Sequence, residues 1–412
     1  MHAPGLVRAV GREPARDRIA IVPTPRPEVI APLDHSPTEV ESTSELLVHL
    51  ERRTLAGLTL QGVGLIGVDL SGVDVTGALF VGCELSDDQA ETVLRGGGHV
   101  VPVFVDTPFP TQPSRLYTPE EIAEGFDVGG FATMYDAIVY KHFIEHGGAS
   151  PDLREALAQR IHDHGIDNAL AAEVGAWTAA HGGRSIVGIM GGHAELRGSP
   201  GYREAAGLAW HLARSRRLVL TGGGPGVMEA ANLGAYMATR PLAELHHAID
   251  ELQKADDFRQ SQDYTAMALR VRAKYPPEPD ASWERAGGLS IPTWFYGHEP
   301  ANLFAARIAK LFSNAVREEQ IVTLSRGGIV FAAGRAGTVQ EVFQATTLTF
   351  YGIVNHSGPF LFLGRRFWTE DLPVRALLEP LLKASPLGDL SNLIHITDDV
   401  EEAAALLADR EG

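Results

Sequence analysis

Two junctions in this chain join an apolar segment to a glycine-containing turn and then to a segment with helical spacing, and they restrict the fold more than any other feature. In the first junction, residues 217–220 are followed by Thr221-Gly222-Gly223-Gly224-Pro225-Gly226 and an alanine-rich segment. In the second, residues 328–332 are followed by Ala333-Gly334-Arg335-Ala336-Gly337-Thr338, where a helix is predicted to begin. A strand that passes through glycines into a helix is the repeating unit of a parallel α/β sheet.

The glycines of the first junction also suggest a ligand. Gly222, Gly223, Gly224 and Gly226 lack the Cβ atoms that would keep an anion away from the backbone N–H groups at a helix N-terminus. We therefore expect a phosphate to bind here. A glycine turn that only reverses the chain is the alternative, and the second junction downstream favours the phosphate.

From Ser185 onward, predicted strands and helices alternate to the end of the chain. This pattern predicts a Rossmann-like, doubly wound parallel sheet over residues 181–412, with its ligand at the carboxyl ends of the strands. Residues 240–290 interrupt the alternation with two predicted helices, so we expect an insertion that acts as a lid or an oligomer contact. Beyond it, we expect a strand at 291–295 and an amphipathic helix at 301–316.

The N-terminal half divides into three parts. Residues 1–53 are rich in proline and charge and are expected to be a mobile leader. Residues 54–86 repeat with a period of five, with glycine at 57, 62, 67, 72, 77 and 82. This segment resembles a pentapeptide repeat, which implies a β-helix with four pentapeptides per coil. So short a β-helix cannot close its own core and is expected to pack against a neighbouring segment; two β-hairpins are the alternative. Residues 87–180 are expected to be a mixed, largely helical connecting region.

Composition narrows the function classes. The formal net charge of −17 and the absence of Lys/Arg clusters argue against a nucleic-acid partner. No apolar run approaches the roughly 20 residues that span a bilayer, so we expect a cytoplasmic protein without a membrane partner. The single cysteine, Cys83, excludes an intramolecular disulfide and falls at an inward repeat position, which favours a structural thiol.

Histidines at helical spacing raise the question of a metal. His142 and His146 are four residues apart, and His162 and His164 flank Asp163. Neither cluster has a convincing third ligand, so we interpret these histidines as solvated helix-face residues and expect no metal.

The second junction carries the candidate chemistry. Gly337 and Thr338 are expected to begin a helix whose amides suit a phosphate or ribose oxygen, and Glu341 falls one turn further on the same face as Gly337. A carboxylate beside an anion site is unfavourable unless positive charge develops on the ligand. Cleavage of a glycosidic bond passes through such an oxocarbenium-like state. A partner for the helix dipole is the alternative role for Glu341.

Together, the run 222–231 and the pattern Gly334-x-x-Gly337-Thr338-x-x-Glu341 resemble the LOG family of Rossmann proteins over about residues 185–407. Members of that family hydrolyse nucleoside 5'-monophosphates to free base and ribose 5-phosphate without a metal or redox cofactor and assemble as dimers or larger homo-oligomers. The resemblance implies that Glu341 orients water and stabilises the oxocarbenium ion, and that Arg307 is the active-site arginine. It also implies ligand contacts from a set of turn residues: Gly222, Gly223, Gly224, Gly226, Met228, Glu229, Gly334, Arg335, Gly337 and Thr338. Gly192 and His193 are further candidates.

The sequence departs from the family at the second junction. Ala333 replaces a proline, Arg335 replaces a glycine, and Ile308 replaces the lysine that usually follows the arginine. Arg335 would either crowd the turn and block a phosphate or bind the phosphate itself. Three functions therefore remain open: a nucleotide N-ribosidase, a non-catalytic nucleotide-binding or sensing protein, and a carrier of a phosphorylated cofactor.

Overall fold

The computed structural model describes residues 38–353 and 358–408, all within one compact unit. Most of the leader, residues 1–37, lies outside the described residues. The remainder of the leader, residues 38–53, is folded, which corrects the expectation of mobility for that part. It forms a short strand and a helix whose capping box is built by Ser42 and Glu45.

The described residues form eleven strands in two parallel sheets. The strands are β1 (Glu39–Val40), β2 (Thr59–Gln61), β3 (Leu79–Val81), β4 (His99–Val101), β5 (Ile186–Met190), β6 (Leu218–Thr221), β7 (Leu289–Ser290), β8 (Arg307–Ile308), β9 (Ile329–Phe331), β10 (Phe360–Leu363) and β11 (Ile394–Thr397). The first four form one sheet in chain order. The other seven form the main sheet in the order β11-β10-β9-β5-β6-β7-β8.

Fourteen α-helices of very different lengths are present within the described ranges. They are α1 (Thr43–Glu51), α2 (Asp87–Arg95), α3 (Pro119–Ile122), α4 (Phe126–Gly129), α5 (Tyr135–Glu145), α6 (Leu153–His181), α7 (Pro200–Arg214), α8 (Val227–Tyr236), α9 (Leu242–Leu252), α10 (Ser261–Lys274), α11 (Asn314–Leu324), α12 (Ala336–Phe350), α13 (Val374–Lys383) and α14 (Val400–Ala408). A π-helical turn at Phe367–Asp371 precedes α13.

The main sheet confirms the α/β expectation. All its strand pairs are parallel, and the chain leaves the central strand β5 toward β6 on one side while β9 lies on the other. Such a reversal of strand order creates a crevice at the carboxyl ends of the strands. Strands β5, β6, β9 and β10 are almost entirely apolar and buried, as expected for strands covered by helices on both faces.

Two predicted elements are wrong, and both lie between the insertion and the second junction. The strand expected at 291–295 lies earlier in the chain than predicted. It is β7, which ends at Ser290, and residues 294–296 form a 3-10 turn instead. The helix expected at 301–316 does not form; that segment is loop and the short strand β8, and α11 begins at Asn314 with Ser313 as its N-cap. Apolar residues at helical spacing, such as Phe304 and Ile308, are buried here by the surrounding core and need no helix.

The five-residue period folds as a coil, which we call the N-terminal coil (residues 54–86). Its parallel pairs join residues twenty positions apart: Thr54 with Asp74, Thr59 with Leu79, and Gly64 with Glu84. Parallel pairing excludes the two β-hairpins, whose strands would be antiparallel. The apolar repeat positions point inward and form a core with Leu46 of α1 and Val93 of α2. The repeats do not close this core by themselves, as expected, because α1 and α2 supply the apolar contacts that the repeats lack. Membership of the pentapeptide-repeat class stays a prediction.

The glycines of the coil explain its corners. Each of the six repeat glycines has a positive φ, between 58° and 84°, a conformation in which a Cβ would be strained. Cys83 is buried among the inward side chains, its thiol donates to the Leu60 carbonyl at 3.4 Å, and burial raises its pKa. A structural role fits this environment.

The connecting region is held together by α6, a 29-residue helix that the sequence did not reveal. The interpretation of its histidines as solvated is wrong for His162, which is fully buried with Nε2 at 2.9 Å from the Tyr117 hydroxyl and Nδ1 at 3.2 Å from Asp163. His142 is also largely covered and contacts Glu155, at 3.2 Å.

The connecting region also reaches the edge of the main sheet. The backbone of Tyr117 pairs with Ile308 in an antiparallel bridge along the outer edge of β8.

The insertion forms the two expected helices, α9 and α10, which pack on each other, and α9 packs on α7. Leu245, Ile249 and Leu252 of α9 are fully buried. No helix among residues 38–353 and 358–408 combines the length and apolar character that crossing a membrane requires.

Candidate functional site

A cavity of about 590 Å³ lies at the carboxyl ends of the main sheet. Its walls come from the segments that follow β5, β6, β7, β8, β9 and β10, as the crevice at a reversal of strand order predicts. Most sequence-predicted ligand residues line it: Gly192, His193, Gly222, Gly223, Gly224, Met228, Gly334, Arg335, Gly337, Thr338 and Glu341. A second groove, of about 690 Å³, lies beside α13 and contains neither glycine turn.

The turn after β6 is closely packed by protein atoms. A Cβ added at Gly222 would meet Met228 Sδ at 3.0 Å, and one at Gly223 would meet Pro292 at 2.9 Å. One at Gly224 would meet Met228 Cε at 2.7 Å. These glycines therefore allow neighbouring side chains to approach the backbone, whether or not an anion also binds there.

Two predicted residues of the first junction lie away from the cavity. Gly226 has a φ of 70°, and a Cβ there would lie 2.4 Å from the Gly192 carbonyl oxygen. The Val227 N–H donates to that same carbonyl at 3.2 Å, so the loop after β5 covers the start of α8. Glu229, expected near the sugar or base, is instead fully buried. The loop after β5 therefore separates Gly226 from the cavity, where the sequence had predicted a contact with phosphate.

The partners of Glu229 explain its position. Arg197 donates to both of its carboxylate oxygens, at 2.6 and 2.8 Å, and the hydroxyls of Tyr202 and Tyr264 donate at 2.9 and 2.6 Å. A carboxylate with this many donors is satisfied without a ligand. Because Tyr264 belongs to α10, the network fastens the insertion to the start of α8. None of the lining residues of the cavity comes from residues 240–290, although the ring of Phe258 lies 5.6 Å from that of the lining residue His193. The lid role stays a prediction.

The start of α12 differs from the start of α8. Neither helix start is capped by a side chain of the described residues, but the start of α8 is covered by the loop after β5, whereas a Cβ added at Gly337 would meet no atom within 4 Å. The first N–H groups of any α-helix have no partner within the helix. Here they face the cavity together with the buried Thr338, and the arrangement suits an anion.

Arg335 is the N-cap residue of α12 and is exposed. Its side chain makes no hydrogen bond or ion pair with the residues that the structure describes, and the space beside Gly337 is open, whereas Thr338 packs against Gly334. Of the two alternatives for Arg335, the geometry favours a guanidinium that can reach an anion over a side chain that blocks the turn.

Glu341 lies on the inner face of α12, at the edge of the cavity, with its side chain 18% exposed. Burial raises its pKa from 4.5 to about 7, and Glu318 acts in the same direction while Arg317 opposes the shift. A carboxyl group with a pKa near neutrality can both accept and donate a proton at physiological pH.

The arginine beside Glu341 is Arg317, on α11. Its Nη1 lies 3.9 Å from Glu341 Oε1, and its buried Nε has no hydrogen-bond partner among the described residues. Arg307, the arginine named from the family motif, lies on β8 and contacts Glu173 at 3.4 Å, outside the lining of the cavity. The sequence placed Arg307 on a helix that does not exist, and Ser313 as the N-cap of α11 was the signal that could have revealed Arg317.

His193 and Glu299 form a pair among the lining residues of the cavity. His193 Nδ1 lies 3.1 Å from Glu299 Oε1, and burial raises the pKa of Glu299 while His193, His298 and Arg317 lower it. Sequence reasoning missed Glu299 because it lies in a loop without a motif.

Lys310 is a buried cation that also lines the cavity. Lys310 contacts Asp136 of α5, which also accepts a hydrogen bond from Trp294 Nε1 at 2.9 Å. The lysine and aspartate side chains are each 3% exposed, so the pair is a buried and compensated one. Within the described part of the chain, no three His, Cys, Asp or Glu side chains are grouped so as to hold a metal ion.

A comparison with models of protein families gives a match for the part of the chain that contains the first junction. Residues 184–240 match the model of the SLOG cluster4 family. The matched range runs from β5 through α8 and includes the glycine turn after β6. The SLOG superfamily includes LOG-like Rossmann proteins.

Matches to individual proteins add little. No curated protein matches the chain. A similar solved structure is the molybdenum cofactor binding protein from the phototrophic bacterium Rippkaea orientalis, with 19% identity and a TM-score of 0.30 over 54% of this chain and 94% of that chain. A similarity of this extent does not indicate a shared ligand.

Proposed function

We propose that this protein hydrolyses the N-glycosidic bond of a nucleoside 5'-monophosphate and releases the free base and ribose 5-phosphate. The observation that carries the proposal is Glu341, whose pKa is raised to about 7 in a cavity that also holds the uncapped start of α12 and the unsatisfied Arg317. A proton-transferring carboxyl group next to an anion site is what hydrolysis of a phosphorylated glycoside requires.

The 5'-phosphate is assigned to the start of α12. The free amides there, the Thr338 hydroxyl and the Arg335 guanidinium can all donate hydrogen bonds to phosphate oxygens. The turn after β6 is the weaker candidate, because Met228 and Pro292 pack against it and Glu299 lies near Gly224. We therefore assign the sugar and the base to the side of the cavity near that turn.

Glu341 acts on the sugar carbon. In its ionised form it takes a proton from the attacking water, while its negative charge stabilises the positive charge that develops on the sugar ring. The C1'–N bond breaks as the bond between C1' and the water oxygen forms. Arg317 favours the ionised form of Glu341 and can also contact the phosphate or a ribose oxygen.

The test is a product assay with purified protein and the adenine, guanine, cytosine and uracil nucleoside 5'-monophosphates. We expect ribose 5-phosphate and free base from at least one of them, and a loss of about 100-fold or more in kcat on Glu341→Gln, the usual scale for a general acid–base group. Glu319→Gln is the matched control, because Glu319 is exposed on α11. The proposal is overturned if no substrate yields product while a known nucleosidase works in the same buffer.

A non-catalytic nucleotide-binding or sensing role is the second candidate. Arg335 favours it, since an unpaired guanidinium at a helix start strengthens anion binding without contributing to bond cleavage. This role predicts a thermal shift with nucleoside monophosphates, no turnover, and a shift that Glu341→Gln leaves unchanged. A carrier of a phosphorylated cofactor would instead retain its ligand during purification, which native mass spectrometry detects.

A further inference from the structure

We infer that His193, oriented by Glu299, is the group that protonates the departing base. The inference rests on the proposed function and extends it, because Glu341 and Arg317 account for the water and the sugar but leave the leaving group without a proton donor. A departing base anion is unstable, and a positioned acid is a common way to lower the barrier of such a step.

The position of His193 follows from the sheet. Gly191 and Gly192 connect it directly to the end of β5, the central strand, and the Gly192 N–H donates to the Ala333 carbonyl at 3.1 Å. This hydrogen bond joins the loop that carries His193 to the turn that begins α12. The imidazole is therefore on a loop adjacent to the assigned phosphate site and within the same cavity as Glu341.

The imidazole of His193 lies within ion-pair distance of a carboxylate. Nδ1 faces Glu299 Oε1 at 3.1 Å, and Nε2 makes no hydrogen bond or ion pair with the described residues. The Glu299 side chain is 12% exposed, whereas that of His193 is 51% exposed. A buried carboxylate that holds one ring nitrogen leaves the other free to exchange a proton with a ligand.

Charged and aromatic side chains surround the pair formed by His193 and Glu299. Among the described residues, His193, His298 and Arg317 are the charged groups that act most on the ionisation of Glu299. The ring of Phe258 lies 5.6 Å from that of His193, at an angle of 57°, and restricts the imidazole from its other side. In the proposed step, the imidazole donates the proton from the ring nitrogen that does not face Glu299.

The proposed step balances. The electron pair of the C1'–N bond moves to the base nitrogen, which takes the proton from Nε2 of the His193 imidazolium. Water supplies the new C1'–O bond and gives its proton to the Glu341 carboxylate. After release of both products, loss of that proton from Glu341 and uptake of one by His193 restore the starting state, so only water is consumed.

The experiment compares two substrates that differ in their need for an acid. Adenosine 5'-monophosphate has a base that requires protonation, whereas 7-methylguanosine 5'-monophosphate carries a base that is already positively charged and leaves as a neutral molecule. For His193→Asn we expect kcat to fall by about 100-fold or more with the first substrate and by less than about 3-fold with the second. Glu299→Gln should show the same substrate dependence with a smaller loss, because it acts through His193.

Two further variants separate the roles. Glu341→Gln should slow both substrates, since it acts on water and the sugar. His164→Asn is the matched control: His164 forms a similar pair with Glu39, at 3.1 Å, outside the cavity, and both rates should be unchanged. Thermal unfolding and ribose 5-phosphate binding, which should match wild type in every His193 and Glu299 variant, exclude a folding defect.

The outcomes are distinguishable. Equal slowing of both substrates by His193→Asn, or no slowing of either, overturns the role of His193 while wild-type turnover upholds the proposed function. If the wild-type protein cleaves neither these two substrates nor the other nucleoside monophosphates, the proposed function fails and the inference fails with it.

Discussion

The ionisation of Glu341 reflects two opposing effects near the start of α12. The helix dipole stabilises a negative charge in the first turns, but removal from water destabilises it by more, and the pKa rises to about 7. The fold therefore retains a group that costs stability in its charged form. Such a cost is common where a side chain serves chemistry.

This cost predicts a pH dependence of stability. Because the folded-state pKa of Glu341 lies above the unfolded value of 4.5, the folded protein binds more protons between those values, and stability falls as the pH rises from about 4.5 to about 7. Glu341→Gln removes this contribution. We expect the variant to be more stable than wild type by about 1–3 kcal/mol at pH 8, with a much smaller difference at pH 5. Urea unfolding at both pH values measures it, and identical differences at the two pH values would contradict it.

Arg317 and Arg307 give a second prediction for single residues. Arg317→Ala removes a buried cation beside Glu341, so binding of ribose 5-phosphate should weaken by about 10-fold or more, the range of a charge-assisted hydrogen bond. Arg307→Ala removes only a half-exposed contact with Glu173, and binding should stay within about 2-fold. Calorimetric titration of both variants measures the contrast; a loss confined to Arg307→Ala would restore the assignment made from the sequence.

For individual residues, the sequence predicts a position at the cavity where the residue belongs to a turn motif. Glu341, Gly337 and Thr338 line the cavity as expected, because their spacing from one helix start fixes which face they share. Arg317 and Glu299 come from a helix and a loop whose bounds depend on tertiary packing, so spacing alone did not identify them. Their proposed roles, like that of Glu341, stay predictions until activity is measured.

Among the elements, α11 depends on α6 for its position. Asp163 of α6 accepts hydrogen bonds from the backbone N–H groups of Phe312 and Ser313, at 2.8 and 2.9 Å, immediately before α11 begins. One turn further along α6, Asp167 accepts a hydrogen bond from Gln320 at 2.6 Å. The connecting region thus fixes the helix that carries Arg317.

Two aspartates of α6 allow a matched comparison. Asp163→Asn replaces one acceptor oxygen by an amide group, which leaves a buried backbone N–H without a partner, and we expect a loss of about 1–3 kcal/mol in unfolding free energy with weaker ribose 5-phosphate binding. Asp167→Asn keeps its acceptor for Gln320 and removes a carboxyl whose pKa burial raises to about 6, so stability at pH 8 should be unchanged or higher. Chemical unfolding at pH 8 distinguishes the two; equal losses would argue against a specific role for Asp163.

The alternation of strands and helices was predictable because buried strands and amphipathic helices have different hydrophobic periods. The helix starts at Ser86, Thr118 and Ser199 carry side-chain caps, two of them complete capping boxes, which are local signals. The segment 291–316 was not predictable, because its apolar residues are buried by neighbours distant in the sequence. Helix α6 was missed for a related reason: it buries polar residues such as His162 and Asp163, which obscure its apolar face.

At the scale of the whole molecule, the described part of the chain contains two separate hydrophobic cores. One is the core of the main sheet and its helices, which extends into the connecting region, and the other is that of the N-terminal coil with α1 and α2. Polar contacts also reach the coil side of α6: Glu39 of β1 lies 3.1 Å from His164 and accepts a hydrogen bond from Asn168 at 3.0 Å. The boundaries of domains expected from the sequence, like the homo-oligomeric state, stay predictions.

Separate cores predict separable effects of mutation. Phe80→Ala removes a fully buried ring from the coil core, and we expect a loss of about 3–5 kcal/mol in the stability of that part. All five tryptophans lie outside residues 38–101, at positions 177, 210, 283, 294 and 368. Tryptophan fluorescence should therefore keep its unfolding midpoint while circular dichroism shows an additional early transition. A common shift of both signals would indicate a single cooperative unit.

The antiparallel bridge between Tyr117 and Ile308 has a consequence for solubility. Strand β8 ends the main sheet, and the backbone of Tyr117 occupies hydrogen-bonding groups that a strand from another molecule would otherwise use. Unpaired sheet edges promote aggregation. A shortened chain that starts at residue 181 would keep every lining residue of the cavity, yet it would uncover this edge and leave Lys310 without Asp136. We therefore expect the connecting region to protect the main sheet against self-association, and we expect residues 181–412 alone not to remain monodisperse.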